Sequence, residues 1–132
     1  MTHSKRALRL NQASLALVVA WQRAAGSHEV CALYAVDHAG RQRLLQLTNH
    51  AELTGAFEVS RSDSDAVRAA ATRLGLKIVA FVHTHPHHGP DMSQRDAQSF
   101  DRDTLPWIIV GDVATLPRQR AYARPLADVV VH

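Results

Sequence analysis

Four residues in one short stretch, His83, His85, Ser93 and Asp96, are of types that hold metals and move protons, and their spacing decides which chemistry they suit. The preceding run from Lys77 to Val82 is short, apolar and β-branched, the pattern of a buried strand. Carried on through Thr84, that strand sets His83 and His85 two residues apart on one face. Pro86 and the Gly89-Pro90 pair then end the strand and force a loop. Ser93 and Asp96 open the next segment, so a carboxylate can swing back towards the imidazoles. Two nitrogens and one carboxylate oxygen suit tetrahedral zinc with its fourth position left for water, the catalytic arrangement rather than the closed structural one.

The flanking sequence supplies elements to position this stretch. Ala7 to Leu10 reads as a short first strand, and Asn11 or Ser14 as the cap of a helix to about Ala25, with Leu17, Trp21 and Ala24 on one face and Val18 beside them. Gly26 stops that helix. Glu29 to Val36 is a nearly continuous apolar strand, Asp37 to Gly40 a turn, and Arg43 to Leu47 its hairpin partner. Ala56 to Val59 reads as a further short strand. A second helix starts within Ser60 to Asp65 and ends at Gly75, with Ala66, Ala69, Ala70 and Leu74 at helical spacing. After the metal-ligand stretch come a short helix over Ser93 to Phe100 and a buried strand over Pro106 to Gly111. Late strands are expected over Arg118 to Arg124 and Ala127 to Val131. Several strands with two substantial helices argue for an α+β or mixed α/β sheet domain.

With 132 residues, 46% hydrophobic and 20% charged, the chain reads as one domain spanning residues 1–132 with a core that needs no staples. The single cysteine, Cys31, excludes an internal disulfide and any Cys-rich structural zinc site. Leu15 to Trp21 is too short to span a bilayer and is followed by Gln22-Arg23, so no membrane association and a cytoplasmic location are expected. The net charge of +3 is spread along the chain, which argues against a nucleic-acid footprint.

His-x-His, seven residues, Ser, two residues, Asp resembles the signature of the JAMM (MPN+) zinc metallopeptidases, and His83, His85, Ser93 and Asp96 fill it without a gap. Thr84 and Pro86 match the usual His-Ser/Thr-His-Pro core. The resemblance runs over most of the element order. It implies a curved mixed β-sheet sandwiched by helices, the JAMM/MPN (cytidine-deaminase-like) architecture. It further implies one zinc ion per chain on His83, His85 and Asp96. The family's general base is a glutamate on an early strand after the first helix, the place held here by Glu29 in Ser-His-Glu-Val-Cys-Ala-Leu. Ala32 and Val36 stand where the family often has glycine, and Asn49 and Phe57 resemble the Asn and Phe before its second helix. The implied reaction is hydrolysis of the peptide or isopeptide bond after the C-terminal glycine of a ubiquitin-like protein, whether deconjugation, precursor maturation or sulfur-carrier processing. Glu29 would take the proton of the attacking water, and the Ser93 hydroxyl would donate to the oxyanion. Substrate-binding residues are not legible in the sequence. The alternative is a non-catalytic MPN-like scaffold that binds a ubiquitin-like or other protein partner.

Each residue also has a plainer reading. Ser93-x-x-Asp96 is a helix capping box, which is compatible with a site role because a cap would orient the carboxylate. His83 and His85 could be core histidines, and Glu29 a surface carboxylate. His87 could join a three-histidine site, but Pro86 and Gly89 favour solvated loop residues for His87 and His88. Asp91 reads as a loop acid, Cys31 as strand packing rather than a nucleophile, and Trp21 and Trp107 as core.

Overall fold

The computed structural model describes residues 8–123. Three helices, α1 (Gln12–Ala25), α2 (Arg61–Arg73) and α3 (Gln94–Arg102), alternate with strands β1 (Cys31–Val36), β2 (Gln42–Leu47), β3 (Lys77–His85), β4 (Trp107–Gly111) and β5 (Arg118–Tyr122). The strands form one sheet in the order β2-β1-β3-β4-β5. Only β3 and β4 pair in parallel; the other neighbours are antiparallel. This is the expected α+β architecture of a mixed sheet with helices on both faces.

Strand alternation sorts the core into two layers. On one face Ala32, Tyr34, Ala80, Val82, Ile108 and Val110 pack under α1 through Val18, Val19 and Trp21. On the other, Cys31, Leu33, Leu47, Phe81 and Trp107 pack with Val67 of α2 and Phe100 of α3. His83 and His85 continue the period-2 series from Phe81, so they share the second face, while Thr84 between them faces α1. The parallel register sets His83 beside Ile109 and His85 beside Gly111.

The caps form where the sequence places them. Asn11 accepts from Ser14 N at 2.9 Å to start α1, Ser60 accepts from Asp63 N at 3.1 Å to start α2, and Gly26 leaves α1 at φ 66°. The helix faces differ from expectation. α1 buries Ser14, Val18 and Gln22, leaving Leu17 and Ala24 exposed. α2 buries Ala71 and half-buries Val67 and Ala70, whereas Ala66, Ala69 and Leu74 face outward. Small, alanine-rich helices mark their faces weakly, and in α1 a buried glutamine outweighs the apolar count because its amide is fully hydrogen-bonded.

Two predicted strands are absent. Leu8 to Leu10 is irregular: the Gln119 amide donates to Leu10 O at 2.9 Å and accepts from Leu10 N at 2.7 Å, in place of a strand partner. Ala56 to Val59 is irregular because Asn49 takes up Ala56 O and Glu58 N (3.1 and 2.9 Å). The expected strand from Glu29 begins at Cys31, and the late strand from Arg118 closes at Tyr122. Ala7, Arg124 and the expected strand over Ala127 to Val131 lie outside the described residues. Among the described residues, no helix is long and apolar enough to cross a membrane.

Candidate metal centre

The site lies where the C-terminal end of β3 meets the N-terminus of α3. Ser93 caps α3 by accepting from Asp96 N at 3.0 Å, and the Asp96 carboxylate accepts from Ser93 N at 3.0 Å, a complete capping box. That box aims the buried Asp96 at both histidines. Its Oδ2 is 2.9 Å from His85 Nε2 and its Oδ1 is 3.5 Å from His83 Nε2. The capping-box reading and the site reading therefore merge, since the helix cap is what presents the carboxylate.

The far nitrogens of both rings are held as well. His85 Nδ1 meets Gly89 O at 2.8 Å, and His83 Nδ1 meets Glu29 Oε1 at 3.2 Å. Outer hydrogen bonds of this kind fix ring orientation and tautomer in metal-binding histidines. His83 Nε2 is fully buried and has no hydrogen-bond partner among the described residues, an expensive condition for a polar atom. It points at the same place as His85 Nε2 and the Asp96 carboxylate.

The separations of Asp96 from the two histidines suit a zinc-sized ion. Ligands about 2.1 Å from a tetrahedral metal stand about 3.4 Å from one another. The 3.5 Å His83–Asp96 separation already matches this, and the 2.9 Å His85–Asp96 hydrogen bond would open slightly as its proton left. Glu29, His83 and His85 also form a set whose ligand atoms lie within 4.8 Å of one another. Asp96 is the better third donor, because it faces the Nε2 atoms while Glu29 is engaged with the opposite nitrogen of His83.

Burial and partners shift these groups. Burial alone would raise the Asp96 carboxyl, but the His85 hydrogen bond, the His83 charge and the Ser93 amide outweigh it and bring its pKa down to about 2. For His85, burial opposes protonation, yet the Asp96 and Gly89 hydrogen bonds and the nearby carboxylate charges give a net upward shift. Cys31 is different. Burial, then the Glu29 and Asp96 charges, push its thiol far up, which removes it as a nucleophile.

Several residues with no such role legible in the sequence hold the site together. The Asn49 amide, at a position noted only for its resemblance to the family, donates to Glu29 O at 2.9 Å. Gln22 binds the segment before Glu29 and the Thr84 hydroxyl. Gly111 lets the 88–90 loop lie directly on β4, for a β-carbon there would sit 2.3 Å from Pro90 N. Tyr122 donates to Pro90 O and accepts from Met92 N, fixing the approach to Ser93. Behind His83, the rings of Phe57 (4.7 Å) and Trp107 (5.2 Å) wall off one side. His87 and His88 are exposed on the loop and Asp91 is paired with Arg120, as their plainer readings expected.

A family model described as prokaryotic homologs of the JAB domain matches residues 11–124. The chain belongs to this family. Solved structures share the fold. A Desulfitobacterium hafniense protein of known solution structure aligns with a TM-score of 0.72 at 18% identity, covering 84% of this chain and 80% of that one. A Salinibacter ruber protein gives 0.58 at 23% identity, with 89% and 82% covered. A JAB1/MPN domain protein from Archaeoglobus fulgidus gives 0.51 at 20% identity, with 83% and 82% covered. No curated protein matches the sequence significantly.

Proposed function

We propose that this JAB-family chain is a zinc-dependent metallopeptidase that cuts the peptide or isopeptide bond following the C-terminal glycine of a ubiquitin-like protein. One observation carries the reading. The buried His83 Nε2, without a hydrogen-bond partner among the described residues, converges with His85 Nε2 on the Asp96 carboxylate, and a second carboxylate, Glu29, stands next to the histidines.

His83, His85 and Asp96 would hold the ion. Bound there, zinc would polarise the scissile carbonyl and bring the pKa of a water near 7. Glu29, its carboxylate buried and its Oε1 held at His83 Nδ1, would use its other oxygen to accept the water's proton and pass it to the departing nitrogen. Ser93 Oγ already accepts from Asp96 N, so its hydroxyl hydrogen is available to donate to the developing oxyanion. The exposed side of Ser93 is where a substrate carbonyl would approach. A ubiquitin-like partner rests on the family alone.

The test is to treat a cell extract rich in ubiquitin-like conjugates with zinc-loaded wild type and with Glu29→Ala, and to map new C-termini by mass spectrometry. New ends after a glycine-terminated tail, made by wild type alone, would support the reading. Zinc bound by both proteins with no new ends from either would favour the scaffold alternative.

A further inference from the structure

We infer that Gln22, on the face of the sheet opposite the metal centre, is the positioning residue that fixes Glu29 relative to the His83–His85 strand; its bearing on catalysis rests on the peptidase reading above. Glu29 lies in no helix or strand, so its placement depends on how its backbone neighbours are tied. Gln22 is 4% exposed, a polar side chain on the buried line of α1. Its amide nitrogen donates to Gly26 O at 3.0 Å and to His28 O at 2.6 Å. Its amide oxygen takes the Thr84 hydroxyl.

The direction of that last bond is forced. Thr84 Oγ1 accepts from Val30 N at 2.8 Å, so its single proton is free for Gln22 Oε1. Val30 O in turn accepts from Thr84 N at 3.0 Å. Thr84 thus grips Val30 through both backbone groups, and Gln22 grips Thr84 and His28 together. The residues on either side of Glu29 are locked to the residue between the two histidines. Every polar atom of the Gln22 amide is used. A shift of about 1 Å in a proton-transfer group is enough to cost orders of magnitude in rate.

Gln22→Leu keeps the volume and removes all three bonds. In the full chain loaded with Co²⁺, the Val30 amide proton should exchange about tenfold faster, while the Ala32 and Val82 amides of the sheet keep their protection. The Co²⁺ affinity should stay within about threefold, and on any substrate that wild type cuts, kcat should fall about tenfold with KM unchanged. Val30 exchange that is unchanged, or that rises equally with Ala32 and Val82, would overturn the inference. Should the leucine variant not fold, Gln22→Glu keeps the acceptor for Thr84 but loses the donors to Gly26 and His28. Wild-type exchange at Val30 in that variant would overturn the inference equally. A wild type that cuts nothing would sink the peptidase reading and leave the exchange result to decide the positioning role.

Discussion

The Asp96 carboxylate and the His85 imidazole meet at 2.9 Å, and each changes the other's affinity for protons. In the metal-free protein the lowered Asp96 pKa contributes stability that is present above about pH 4 and lost as pH falls towards 2. The raised His85 pKa contributes stability that is complete below about pH 6.5 and lost as pH rises through its folded value. Metal binding requires the neutral imidazole, so it works in the opposite direction. The rise in melting temperature on adding zinc should be larger at about pH 8 than at about pH 5.5. Paired melting curves at the two values check it, and the reverse order would contradict it.

Gly111 is a close-approach position rather than a turn. A β-carbon would lie 2.4 Å from Gly89 C and 2.8 Å from His88 O, so backbone has to move. The loop that would be displaced carries Gly89 O, the partner of His85 Nδ1. Gly111→Ala should destabilise the fold by about 1–3 kcal/mol. It should also weaken metal binding by about 10–100-fold, the usual scale for a lost outer hydrogen bond to a ligand histidine. Urea unfolding and a Co²⁺ titration read the two effects separately.

In the proposed mechanism Ser93 has two duties that substitutions can divide. Ser93→Ala should cost about 1 kcal/mol of stability through the lost cap. It should also cost about 10²–10³ in rate through the lost oxyanion donor. Ser93→Asp restores a capping acceptor but offers no donor, so stability should recover while the rate does not. A rate that recovers with the cap would show that the serine acts only on α3.

Cys31 is 1% exposed opposite His83 in the β1–β3 register, and burial, then the Glu29 and Asp96 charges, raise its thiol pKa. A thiol reagent should therefore modify the folded protein only as fast as it unfolds, with the rate following denaturant concentration. Rapid modification under native conditions would contradict this placement.

The sequence shows local signals clearly and distant ones poorly. Asn11, Ser60 and Ser93 announce their helices because caps act within three residues, and β3 shows its two-residue period through His85. The proposed ligand set is readable for the same reason, lying within fourteen positions. Glu29 is not derivable from spacing: 54 residues separate it from His83, and only family resemblance points to it. Gln22 could have been noticed as a polar residue four positions after Val18 on α1, but its partner Thr84 lies 62 residues away. The parallel β3–β4 pairing and the role of Gly111 likewise emerge only once the chain is folded.

The central claim is that His83, His85 and Asp96 hold the metal and leave Glu29 free to carry a proton. A Co²⁺ titration followed by visible absorption tests it directly, using wild type, His83→Ala, His85→Ala, Asp96→Asn and Glu29→Gln. The account predicts one tightly bound ion per chain with the spectrum of a four-coordinate site in wild type and in Glu29→Gln. That spectrum should be lost in each of the other three. Loss of the spectrum in Glu29→Gln with its survival in Asp96→Asn would place Glu29 among the ligands and contradict the account.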